Sequence, residues 1–198
     1  MSFIIGGFFV WQYFGILEKA EEKITEDETA DWQTYKNQPM GFSIKYPKEW
    51  IWIFPQLYKQ YLEDALAMEL KKEDPYPSCR VLFLKSTPIN KDTGKEVSFK
   101  DLVASEKQVL IQIPIKNLEV ALEELVEEEI MVDKIQATKL SYLFFYDKSA
   151  NSQGQQISRI FIPLGANEIF HIAYYADLDS YDCQLEFNRM LSTFKFLE

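Results

Sequence analysis

From Ile130 to Tyr175 the chain reads as one strand after another. Ile130–Val132 runs to a turn at Asp133-Lys134. Ile135–Tyr146, a polar loop over Asp147–Gln155, Ile157–Leu164, a turn at Gly165–Glu168 and Ile169–Tyr175 follow. Strands in succession with helices set to either side require an α+β domain with a mainly antiparallel sheet. The chain has 198 residues, 47% of them hydrophobic, enough for one sizeable core and too few for two comfortable ones.

Upstream, Gly41 marks a turn, and Phe42, Ile44 and Tyr46 alternate with Ser43 and Lys45, the period of a half-buried strand. Pro47 lacks the donor to continue it. Trp50, Trp52 and Phe54 alternate with Ile51 and Ile53, so a second strand starts at once, apolar on both faces. Leu57–Lys72 is read as a helix, with Leu57, Tyr61, Ala65 and Met68 on one face and Leu62, Leu66 and Leu70 beside it. Pro75 and Pro77 precede a strand over Cys79–Lys85. Ser98 with Asp101 forms an acidic variant of a capping box, opening a helix with Phe99, Leu102, Val103, Val109 and Leu110 as its apolar residues. Asn117 is placed to cap another, in which Leu118, Ala121, Leu122, Leu125 and Val126 follow helical spacing and Glu119, Glu123, Glu124, Glu127 and Glu128 form the other face. Asp179 or Ser180 opens a last helix reaching about Met190.

Three segments are expected: a hydrophobic anchor or signal remnant at 1–17, an acidic linker at 18–31 and a globular domain at 32–198. Ser2–Leu17 carries no charge but is shorter than the ~20 residues of a full span. A short transmembrane anchor, a signal core lacking its start and a helix packed on the domain all fit it. The anchor is preferred, because the linker after it offers a helix nothing to pack on. Between Glu18 and Asp31 seven carboxylates meet only Lys19 and Lys23, a net of −5 out of −10 for the chain. That charge repels nucleic acid.

Candidate sites are few. His171 is the only histidine, so a multi-histidine metal centre is excluded, and a structural role on one sheet face is the expectation. Glu123, Glu124, Glu127 and Glu128 offer oxygen ligands to a hard divalent cation, although glutamates on one helix diverge and a solvated face is the simpler reading. Trp50, Trp52, Tyr58 and Tyr61 are residue types of a partner surface, weighed against core packing. Cys79 and Cys183 are either a disulfide or two unrelated buried thiols, with the second preferred. No catalytic set and no cofactor motif is present.

GFSIKYPKEW (Gly41–Trp50), preceded by Trp32 and Tyr35, resembles the opening strand of the PsbP-like proteins. FNRMLSTFKFL (Phe187–Leu197) resembles their closing helix and the short Ser/Thr-Phe segment after it. The strands between Leu140 and Tyr175 suit the same fold. The resemblance implies a binding or scaffolding module and no enzyme. Photosynthetic members are extrinsic photosystem II subunits, a nuclear relative binds the Ran GTPase, and many bacterial members are membrane-tethered extracytoplasmic domains. The acidic linker and the missing targeting peptide depart from the photosystem proteins, so their binding residues are not transferred. The expectation is a single-pass, cell-membrane protein with its domain outside the cytoplasm, docking a protein at the envelope. A divalent-cation or small-ligand sensor is the alternative.

Overall fold

The computed structural model describes residues 26–53, 66–72, 79–89, 93–112, 121–145, 154–165, 168–178 and 181–198. The chain divides into two compact units, Met1–Asp31 and Trp32–Glu198. The described part of the first holds a 3-10 turn over Glu26–Thr29. Among the described residues no helix is long and apolar enough to cross a membrane. The Ser2–Leu17 segment lies outside them.

The second unit contains ten strands and two helices among its described residues. They are β1 (Gln33–Asn37), β2 (Phe42–Tyr46), β3 (Trp50–Ile53), β4 (Leu66–Lys72), β5 (Cys79–Ser86), α1 (Phe99–Gln112), β6 (Ala121–Val132), β7 (Ile135–Phe145), β8 (Gly154–Pro163), β9 (Ile169–Asp177), α2 (Tyr181–Thr193) and β10 (Lys195–Phe196). They build a three-stranded sheet, β1-β2-β10, and a seven-stranded sheet, β3-β4-β5-β9-β8-β7-β6. Every pairing is antiparallel. The α+β antiparallel architecture expected from the strand order is the observed one.

Strand alternation divides the large sheet into two unlike faces. One carries Val81, Phe83, Ile160, Ile162, Phe170, Ile172 and Tyr174, and packs against β2 and the Cys183, Phe187 and Met190 side of α2. Phe42 sits at its centre, with ring centroids 5.0 Å from Phe83, 5.3 Å from Phe170 and 5.4 Å from Phe194. The other face carries Leu140, Tyr142, Ile157 and Phe161 and packs under Val103 and Leu110 of α1. The result is three layers: the small sheet with α2, the large sheet, and α1.

Turn chemistry explains the local joins. Gly41 sits at φ 73°, a conformation open to glycine, and its N–H donates to the Asn37 carbonyl at 2.8 Å. Asp133 and Lys134 both have positive φ (44° and 68°), the signature of a two-residue hairpin whose twist matches its strands. Asp133 also ties down the C-terminus. Its Oδ2 accepts from the Phe196 N–H at 2.7 Å, and its Oδ1 lies 3.4 Å from the Lys195 Nζ.

The cap expected at Ser98 forms. Its hydroxyl accepts from the Asp101 N–H at 3.2 Å and donates to the Asp101 carboxylate at 2.6 Å. Ser98→Ala therefore lowers stability by about 1 kcal/mol, read as a fall in the urea midpoint at unchanged slope.

Two helices expected from the sequence are strands. Leu66–Lys72, the described part of Leu57–Lys72, is β4, paired to β3 and β5. The segment from Ala121 to Val132 is β6, paired to β7. A bulge between Glu123 and Val126, with Glu124 at φ 56°, lets Leu122 and Leu125 pack toward the same α1-side cluster although they are three residues apart. That spacing imitates a helix. β1 went unread, and it supplies one edge of the small sheet.

Candidate functional site

The face beneath α1 gathers the polar groups that hydrophobic packing does not account for. β8 contributes Arg159, β7 Tyr142, β9 His171 and Tyr175, β5 Arg80 and α1 Glu106. They converge because β5, β9, β8 and β7 are neighbours in the sheet and these residues alternate onto one side of it. The Arg159 Nη1 donates to the Glu106 Oε2 at 2.7 Å, tying the helix to the sheet. Tyr142 and Tyr175 lie beside the same guanidinium. Arg80 lies over the Tyr175 ring, 4.5 Å from its centroid. Burial raises the Tyr142 phenol above its ordinary value, with the Arg159 charge opposing that shift. Burial by itself would lower the Arg159 guanidinium, but Tyr142, Tyr175 and Glu106 outweigh it and hold its pKa above the usual value.

His171 stacks on Phe161, with ring centroids 4.6 Å apart and planes within 6°. Its Nε2 is buried and has no hydrogen-bond partner. Burial, then the neighbouring Arg159 charge, pushes its pKa from 6.5 down to about 3, so the imidazole is neutral at neutral pH. Unfolding restores a higher proton affinity. Between pH 6.5 and 3 the unfolded chain therefore binds more protons than the native one, and native stability falls as pH falls. Over pH 6.5 to 5 the loss from this group is on the order of 1–2 kcal/mol. Urea midpoints measured across that window should drop more steeply for the wild type than for His171→Phe; parallel curves would refute the assignment.

The other candidates are dispersed. Trp50 is 1% exposed, and its Nε1 donates to the Glu186 Oε2 at 2.7 Å, while the Lys72 Nζ lies 3.2 Å from the Glu186 Oε1. Trp52 is half-buried, stacked on Tyr35 at 4.1 Å and edge-on to Tyr46 at 5.7 Å. Trp50 is a core residue, and Trp52 joins the small sheet to the large one through Tyr35 and Tyr46. Tyr58 and Tyr61 lie outside the described residues.

Glu123, Glu124, Glu127 and Glu128 do not share a helix face, because they lie on the edge strand β6. Alternation sends Glu127 to the α1 side, where it pairs with Lys107, and Glu128 to the other, where Lys139 lies 3.0 Å away. Among the described residues no group of three or more His, Cys, Asp or Glu is arranged to hold a metal ion. Acidic side chains along an exposed edge strand instead resist pairing with another chain.

Cys79 on β5 and Cys183 on α2 are joined in a disulfide, with Cα atoms 6.2 Å apart. The preferred reading of two unrelated thiols is corrected. A separation of 104 residues hides the pairing from any local pattern. Sequence reasoning also missed Arg80, Arg159 and Glu106. The only available signal was a single arginine inside the otherwise apolar or uncharged run of β8.

The sequence matches no family model and no curated protein. Solved structures share its fold. The solution structure of cyanobacterial PsbP (CyanoP) from Synechocystis sp. PCC 6803 is similar over 83% of this chain and 91% of that one, with a TM-score of 0.55 and 15% identity. A crystal structure from Bacteroides thetaiotaomicron matches 84% of this chain with a TM-score of 0.51 and 7% identity; the chain spans 49% of that protein's length. The Saccharomyces cerevisiae Ran-binding protein Mog1p aligns over 84% of this chain and 96% of its own, with a TM-score of 0.48 and 12% identity. With two antiparallel sheets, one helix on each side and the match to CyanoP across most of both chains, the chain has a PsbP-like fold.

Proposed function

We propose that this chain is an extracytoplasmic, membrane-tethered binding or scaffolding module that docks a protein partner at the cell envelope and carries out no catalysis itself. The observation that carries the location is the Cys79–Cys183 disulfide, since such bonds persist in oxidising compartments and are rare in the cytosol. The uncharged Ser2–Leu17 run and the acidic spacer after it supply the tether in this reading. The PsbP-like fold supports a binding role by analogy, which fixes no function on its own.

Two measurements test the proposal. Membranes washed with alkaline carbonate should retain the full chain; its release into the supernatant would remove the tether. Crosslinking in the native membrane, with neighbours identified by mass spectrometry, should give one recurrent protein partner. A chain that crosslinks to no protein at native abundance would end the docking reading.

A further inference from the structure

We propose that the outer edge of β6 accepts an extended segment of a partner protein as an added strand, one in which lysine or arginine alternates with an apolar residue. This names the surface for the docking reading above and rests on it. β6 closes one end of the seven-stranded sheet, and among the described residues no strand pairs with its outer side. Every second residue of such a strand turns its N–H and C=O away from the sheet, where they template a further strand. From Val126 to Val132 the register with β7 runs unbroken, whereas the bulge between Glu123 and Val126 interrupts it upstream. The regular part offers ~20 Å of edge, the length of an ordinary strand.

The side chains along that edge specify the occupant. Alternation puts Glu127, Glu129 and Met131 on the α1 side, and Val126, Glu128 and Ile130 on the other. Val126 and Met131, at the two ends of the regular edge, are 45% and 65% exposed, and an added strand covers part of both. On the second side the Glu128 charge is met by Lys139 at 3.0 Å, between Val126 and half-buried Ile130, so apolar residues suit the partner there. On the α1 side Glu127 pairs with Lys107, but Glu129 accepts at 2.6 Å from the Gln136 amide, which brings no opposing charge. Glu123 and Glu124 add two exposed carboxylates before the bulge, so β6 sets five against those two lysines. Like charges directly opposite destabilise a strand pair, and opposite charges stabilise it. A second copy of this chain, itself at −10, would set glutamates against glutamates, and nucleic acid would bring phosphates to them. The repulsion that keeps like chains off β6 therefore becomes selection for a basic strand.

The test titrates the isotope-labelled full-length chain, in a non-ionic detergent, with the end-capped synthetic peptide Lys-Val-Lys-Val-Arg-Val-Lys-Val. Amide resonances of Val126–Met131 should move saturably, and alternate amides of that run should exchange with deuterium at least tenfold more slowly. Methylating every backbone nitrogen of the peptide removes its ladder donors but no charge, and should abolish binding. Glu129→Lys should weaken binding at least fivefold. Glu49→Lys makes the same charge change at an exposed position beside β3, the opposite edge strand, and should weaken it less than twofold. Four results would each overturn the proposal: no saturable shift; binding undiminished by methylation, the mark of diffuse charge attraction; equal affinity in the Glu129→Lys and Glu49→Lys chains; or β6 amides that respond to the chain's own concentration and not to the peptide, which would give the edge to a second copy. A native partner crosslinked only through residues away from β6 would keep the docking reading and overturn this one.

Discussion

Replacing Cys79 and Cys183 together by alanine lowers the unfolding free energy by about 4 kcal/mol. The bond links β5 to α2 across 104 residues, and closing a loop of that size removes much of the unfolded chain's conformational freedom. Both positions are buried, at 1% and 3% exposure, so alanine is the suitable substitution; serine would add unpaired hydroxyls and confuse the result. Domains of ordinary stability hold only 5–15 kcal/mol in total. The loss should appear as a large fall in the urea midpoint, matched by the wild type in reductant. A double variant within 1 kcal/mol of the oxidised wild type would mean that the bond does not stabilise this fold, and the compartment argument would lose its support.

Phe42→Ala has an effect of similar size from a different cause. The ring is 0% exposed and lies between Phe83, Phe170 and Phe194, which belong to the large sheet and to the segment after α2. Removing it takes away apolar burial and leaves a cavity that three rigid neighbours cannot close, a loss of about 3–5 kcal/mol. Phe42→Leu keeps most of the volume and should cost less than half as much. Equal losses for the two variants would show that ring stacking, and not cavity formation, dominates at this position. Calorimetric unfolding of both distinguishes the cases.

The two substitutions examine different links between the same layers. Phe42 holds the small sheet to the large one through packing, and the disulfide holds α2 to β5 covalently. The β10 strand adds a third link, with the Leu197 N–H donating to the Gly41 carbonyl at 2.8 Å and the Phe196 N–H to Asp133. The C-terminal segment therefore closes both the small sheet and the β6–β7 turn. Together these links join the small sheet and α2 to one face of the large sheet, and the Arg159–Glu106 pair ties α1 to the other.

Local pattern was enough wherever one period and one face agreed. Phe42, Ile44 and Tyr46 are buried and alternate with partly exposed Ser43 and Lys45, so β2 was legible from its residues. Pro47, the Ser98 cap and the Asp133-Lys134 turn were legible for the same reason: each acts through its own backbone geometry. In β4 and β6 two periods competed. Leu66, Met68 and Leu70 alternate at period 2 but also belong to a helical spacing, and pairing with β5 decided between them. Leucine and glutamate favour helices, yet the bulge at Glu124 and the ladder with β7 made Ala121–Val132 a strand.

By itself the sequence determined the α+β class, the resemblance at the two ends of the domain, the lone histidine and the acidic balance. These follow from residue type and near-neighbour order. Tertiary structure alone decided the pairing of Cys79 with Cys183, the burial of Trp50, the scattering of the glutamates to opposite faces and the meeting of His171 with Arg159 and Glu106. Each of those depends on which strands become neighbours. That choice is made by burial summed over the whole sheet, a quantity no short window of sequence contains.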